Sequence, residues 1–136
     1  MIAEFYGLEF DLPDGWEDIT QPDGPPALAR PDGIGAIQFS FASRTDGVRI
    51  TLNDLRTEAT EFGEETGRIF EHRTERSGEI DWVCGRSTTD GELFALWLLT
   101  NGSDLVFVTY NCLEPRDPKA ISEMRDAERI VSSMSF

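Results

Sequence analysis

Residues 80–112 constrain this chain more than any other stretch, because they read as three consecutive antiparallel strands of which the middle one is apolar on both faces. Asp90-Gly91 and Asn101-Gly102 mark the two turns, since such pairs supply the positive φ values that a two-residue hairpin needs. With Asp90-Gly91 at the turn centre, Glu92 lies opposite Thr89, Phe94 opposite Ser87, Trp97 opposite Cys84 and Leu99 opposite Trp82. A two-residue turn at Asn101-Gly102 likewise sets Val106 beside Trp97 and Phe107 beside Leu96. One face then carries Trp82, Cys84, Ala95, Trp97, Leu99, Val106 and Val108, and the other carries Val83, Leu96, Leu98, Leu105 and Phe107. A sheet with one solvated face would alternate apolar with polar residues. This meander therefore has to be covered above and below.

The rest of the chain supplies the covers. An opening strand is expected over residues 4–12, with Tyr6, Leu8, Phe10 and Leu12 inward and an acidic outer face. Pro13-Asp14-Gly15 turns the chain into Trp16, and residues 17–35 read as loop with one brief strand at Ala27-Leu28-Ala29. A second strand, residues 36–42, points Ile37, Phe39 and Phe41 inward. Thr51 starts a helix with Asp54 in capping-box position and Leu52, Leu55, Ala59 and Phe62 as its stripe, bracketed by Gly63 and Gly67. Residues 68–76 form a charged edge strand. Asp117-Pro118 opens a second helix, whose stripe is Ala120, Met124, Ala127, Val131 and Met134, flanked by Ile121 and Ile130. The order predicts a single α+β domain over residues 1–136, an antiparallel sheet of about six strands between two helices that both look able to cover it.

At 136 residues one domain can bury roughly two-thirds of its unfolded surface without staples. Cys84 and Cys112 fall at different levels of the meander and are expected as free thiols. Met1-Ile2-Ala3-Glu4-Phe5 holds no basic region followed by an apolar run, so no secretory signal is read and a cytoplasmic location is expected. The net charge is −14, and half of it falls in the first 36 residues, where Glu4, Glu9, Asp11, Asp14, Glu17, Asp18, Asp23 and Asp32 oppose Arg30 alone. Such a field repels nucleic acid and anionic membrane and attracts basic partners. Acidic composition of the source organism would account for it equally well.

Leu12-Pro13-Asp14-Gly15-Trp16, the helix opening Thr51-Leu52-Asn53-Asp54-Leu55, Gly85, the aromatic-rich meander and a C-terminal helix ending in Ser135-Phe136 together resemble the PsbP-like fold family. That family includes the photosystem II extrinsic subunit, a nuclear-import factor that binds the Ran GTPase, bacterial DcrB-like lipoproteins and cytoplasmic chaperones for type VI secretion effectors. The resemblance implies a protein-binding module, and the missing leader favours a cytoplasmic bacterial member.

No catalytic set is expected. His72 is the sole histidine, so neither a histidine metal cluster nor a usual zinc site can be assembled, and no metal or cofactor is predicted. Cys84 could serve as a nucleophile with His72 as base if their strands are neighbours, but among Trp82, Trp97 and Val106 it reads as a small hydrophobe. Glu61, Glu64 and Glu65, or Glu17 and Asp18, could supply paired carboxylates for acid-base work or a calcium site, but they read as solvated faces, and the Asp-Gly pairs as turns. Trp16 either seals the core or, rimmed by Asp14, Glu17 and Asp18, anchors a contact to a basic surface. With Asp23 and Asp32, these residues make up the expected partner-binding loop. The leading expectation is a non-enzymatic, acidic immunity protein that neutralises a toxin. A chaperone for a type VI effector is the alternative, and an enzyme using Cys84 a third.

Overall fold

In the computed structural model, which describes residues 1–70 and 72–136, the chain runs β1 (Ile2–Phe5), β2 (Leu8–Asp11), β3 (Glu17–Asp18), β4 (Ala27–Ala29), β5 (Gly35–Ser43), α1 (Leu52–Thr66), β6 (His72–Arg76), β7 (Asp81–Thr89), β8 (Glu92–Thr100), β9 (Asp104–Cys112) and α2 (Pro118–Ser132). Seven strands form one antiparallel sheet in the order β3-β4-β5-β9-β8-β7-β6, and β1 pairs with β2 in a separate two-stranded sheet. The α+β class, the central meander and the two covering helices follow the sequence. The expected edge strand includes Glu71, which lies outside the described residues, as does the side chain of His72.

The β7–β8 register is the predicted one, with Cys84 opposite Trp97 and Leu99 opposite Trp82. The β8–β9 register is two residues off the prediction: Val108, not Val106, faces Trp97, and Phe107 faces Leu98. Asn101-Gly102 is not the centre of a two-residue turn but half of a longer connection, held by its own side chains. The Asn101 carboxamide oxygen accepts from the amides of Ser103 and Asp104 at 3.0 and 2.8 Å, and Thr100 Oγ1 donates to the Asp104 carbonyl. A slip of two keeps every side chain on its face, so both predicted faces stand.

The opening strand is corrected as well. It is a hairpin, because Tyr6 and Gly7 both take positive φ, 49° and 86°, and so satisfy a tight mirror-image turn. Leu8, Phe10 and Leu12 are buried as expected, whereas Tyr6 is exposed at the tip. The hairpin shares one face of the sheet with α2. Phe10 stacks on Phe39 at 5.4 Å, Phe5 meets Phe39 edge-on at 5.1 Å, and Glu9 and Ser135 exchange backbone hydrogen bonds that tie the hairpin to the C-terminus.

Asp117 caps α2 and Pro118 occupies its first turn. The helix buries Ala120, Met124, Ala127, Ile130 and Val131, while Ile121 faces water. On the opposite face, α1 opens with the reciprocal Thr51–Asp54 capping pair and closes at Gly67 in the left-handed region. Leu55 and Ala59 pack with Val83, Leu96 and Leu98. Cys84 and Cys112 are buried free thiols.

Candidate binding groove

The two helices do not cover equal shares of the sheet. α2 lies with the hairpin over β5 and β9, whereas α1 lies over β7 and β8 on the other side and reaches β9 through Phe62, whose ring meets Phe107 edge-on at 4.9 Å. The α1 face of β5 therefore stays open, and Gln38, Ser40 and Ala42 are exposed along it. On β9 the matching positions Leu105, Phe107 and Thr109 are half-buried. Between α1 and β5 runs a groove of about 530 Å³ with Phe62, Phe94, Leu105 and Phe107 as its apolar wall and Pro25 and Gln38 toward the far side. Sequence reasoning expected α1 to close this face. A stripe of helical apolar residues shows that a helix packs on a sheet, but not which strands lie under it.

The groove is flanked by carboxylates. Arg56 binds Glu75 on β6, and Arg73 donates to the Arg56 carbonyl and to Thr60, so that side of α1 looks toward the β6 edge. At 100° per residue, Glu58 and Glu65 project from the opposite side of the apolar stripe, the side from which Phe62 reaches the groove, whereas Glu61 points away from the sheet. All three are exposed.

The six predicted partner-binding residues separate into two groups. Asp14, Trp16 and Asp32 gather against α2. Trp16 is 5 % exposed and its indole N–H donates to Asp126 Oδ2 at 2.8 Å, so it seals the core and has no free face for anchoring a partner. Arg30 donates to the Asp14 carbonyl and pairs with Asp126 and Asp32, while Lys119 donates to the Asp32 carbonyl. Glu17, Asp18 and Asp23 instead lie exposed on the β3–β4 edge of the sheet, beyond β5. There the Thr20 hydroxyl and amide hold the Asp18 carboxyl below its ordinary range.

Cys84 lies opposite Thr74, and His72 lies opposite Arg86, so the β6 and β7 strands are indeed neighbours. Burial pushes the Cys84 thiol up, against the effects of a Thr74 hydrogen bond and the Arg86 charge, which disfavours the thiolate a nucleophile requires. Among the described residues no three His, Cys, Asp or Glu side chains cluster to hold a metal ion.

One polar centre was missed in the sequence. Glu123 is 1 % exposed, and its carboxylate accepts from the amides of Ile34 and Gly35 and from the Tyr110 hydroxyl at 3.1, 3.0 and 2.9 Å. Burial and the adjacent carboxylate push the Tyr110 phenol well up. Gly35 is required here, because a Cβ would stand 2.6 Å from both the Tyr110 hydroxyl and the Asn111 carbonyl. The signal was available: Glu123 sits within the buried stripe of Ala120, Met124 and Ala127. All of its partners lie within this fold, so the site is a structural tie between α2 and the start of β5.

No family model matches the sequence, and no curated protein matches it significantly. Solved structures do match. A crystal structure from Bacteroides thetaiotaomicron aligns over 94 % of this chain and 44 % of its own with TM-score 0.62 and 15 % identity, so the chain spans less than half of that protein. LpqN of Mycobacterium tuberculosis, described as involved in cell envelope biogenesis, aligns over 94 % of this chain and 82 % of its own with TM-score 0.59 and 13 % identity. At these identities the likeness is one of fold. No helix among the described residues is long and apolar enough to cross a membrane.

Proposed function

We propose that this chain is a non-enzymatic protein-binding module that receives an apolar segment of its partner in the groove between α1 and β5. The observation that carries this reading is the uneven covering of the sheet: Phe62, Leu105 and Phe107 remain partly accessible on a face whose other half is closed. Partly accessible apolar side chains beside an uncovered strand pair are what a holding protein offers to an amphipathic client. This favours the effector-chaperone role over the immunity role, and the resemblance to the PsbP-like family, with its type VI effector chaperones, supports the same reading. The bacterial cytoplasm is the compartment this role requires, and cell fractionation tests it.

A toxin inhibitor is the second reading, motivated by Glu17, Asp18 and Asp23 exposed together on the β3–β4 edge. Two sets of variants separate the two. Capture from native cells with the tagged chain is compared with capture by Ser40→Arg/Ala42→Arg and by Glu17→Lys/Asp18→Lys/Asp23→Lys. Loss with the first pair alone, persisting at high salt, is the expected result. Loss with the second set alone, together with steep salt sensitivity, moves the function to the inhibitor. A partner retained by both sets refutes both readings.

A further inference from the structure

We infer that the occupant of the groove is a cationic amphipathic helix of a partner protein, an inference that rests on the groove-binding reading above. Its width argues for a helix. Strands lie ~4.8 Å apart, so the β9–β5 pair is centred two strand spacings, ~10 Å, from the β7–β8 pair that carries α1. Packed helices lie about 8–10 Å apart. The open half of the face is therefore one helix wide, and a helix laid there takes the lateral place that α1 leaves empty. Its length follows from the same neighbours. α1 has 15 residues, about 22 Å, and β5 has 9, about 30 Å, which accommodates a helix of roughly 15 to 20 residues.

Charge decides the kind of helix. Glu58 and Glu65 stand along one side, and Asp23, next but one to the lining residue Pro25, with Glu17, in register with Ala29 and Ala36, marks the β3–β4 edge on the other. The residues lining the groove itself carry no charge. An uncharged groove with an apolar wall of Phe62, Phe94, Leu105 and Phe107, set between two acidic borders, fits a helix with Leu, Ile or Phe beneath and Lys or Arg along both flanks. The same borders oppose an anionic lipid headgroup or a fatty carboxylate. They also oppose a second copy of a chain whose net charge is −14.

A fluorescent 15-residue Leu/Lys amphipathic peptide and its Leu/Glu counterpart with the same apolar face test this by anisotropy at about 0.15 M salt. The Leu/Lys peptide is expected to bind at least tenfold more tightly. Ser40→Arg/Ala42→Arg should weaken it at least tenfold, and Glu58→Gln/Glu65→Gln with Glu17→Gln/Asp23→Asn should remove most of the preference. Glu79→Gln/Glu114→Gln, which neutralises carboxylates elsewhere, should leave it unchanged. Equal affinity for the two peptides, still blocked by Ser40→Arg/Ala42→Arg, overturns the cationic helix while keeping the groove. Binding of the Leu/Lys peptide that ignores Ser40→Arg/Ala42→Arg, or its absence, overturns the helix, and in that case the capture comparison above decides the groove. Phosphatidylglycerol vesicles bound in place of either peptide, and released by Ser40→Glu/Ala42→Glu, assign the groove to lipid.

Discussion

Strands β5 and β9 present two different surfaces from one backbone. Toward α2 and the hairpin they carry Ile37, Phe39, Val108 and Tyr110, each at most 1 % exposed. Toward α1 they carry Gln38, Ser40, Ala42, Leu105, Phe107 and Thr109, which are half-buried or exposed. Alternation along a strand lets one set of residues hold the fold while the intervening set is released for binding. Substitutions on the two sides should therefore behave differently, and that difference can be measured.

The largest effect should come from the closed side. Phe39→Ala removes a ring packed against Phe5, Phe10 and Phe41, and is expected to cost about 3–5 kcal/mol in urea unfolding. Phe107→Ala, on a half-covered ring, should cost roughly half as much. Equal losses would show that the groove wall is ordinary core.

Glu123 belongs to the closed side and comes next. Glu123→Gln replaces a carboxylate that accepts from three donors with an amide whose N–H₂ must confront one of them, for an expected loss of about 2–3 kcal/mol. Its partner Tyr110 adds a pH dependence. The folded protein keeps the phenol proton above the ordinary value of 10.0, where the unfolded chain gives it up. The native state then binds more protons than the unfolded one, so stability falls as pH rises past that value. Cys84, also raised, adds loss in the same direction from its ordinary value of 9.0. Unfolding at neutral and strongly alkaline pH should show this decline, and Tyr110→Phe should flatten it. An undiminished slope in Tyr110→Phe would place the sensitivity elsewhere.

These residues also show what the sequence could reveal. Asp90 takes φ 54° and Gly91 φ 76°, so the turn pair set the β7–β8 register correctly. Asn101 precedes glycine too, but its carboxamide binds the chain ahead instead of turning it in two residues. The first hairpin was hidden because Tyr6, with no turn-forming side chain, occupies the left-handed position. The groove lay beyond reach for another reason. Periodicity identifies the buried side of α1, whereas the open half of the sheet depends on where that helix sits laterally. The acidic residues were all visible, yet only the fold divides Asp14 and Asp32 at α2 from Glu17, Asp18 and Asp23 at the sheet edge.

The half-open face also rests on α1 staying in place. Thr51 Oγ1 accepts from the Asp54 amide, so Thr51→Ala should cost about 1 kcal/mol. Amide exchange should quicken in α1 and remain slow in α2. Uniform quickening would mean that the two layers open together and that the closed and open sides are not separable units.

The smallest stability effect sharpens the comparison most. Ser40 lies on the strand between β4 and β9, and its neighbour Phe39 is 1 % exposed, so the position alone suggests a costly site. Its side chain points into the groove and is exposed. An arginine there can lay its aliphatic stem along Phe107 and extend its guanidinium toward the carboxylates of α1 without displacing packed atoms. Ser40→Arg should thus change stability by no more than about 0.5 kcal/mol while occupying the space and the charge that a cationic helix would use. A thermal melt and a peptide-binding titration on the same sample separate these two consequences. A loss of stability comparable to that of Phe39→Ala would mean that Ser40 is packed and that the face is closed in solution. Unchanged stability with weakened binding is the result expected of a sheet that keeps one side for its fold and the other for its partner.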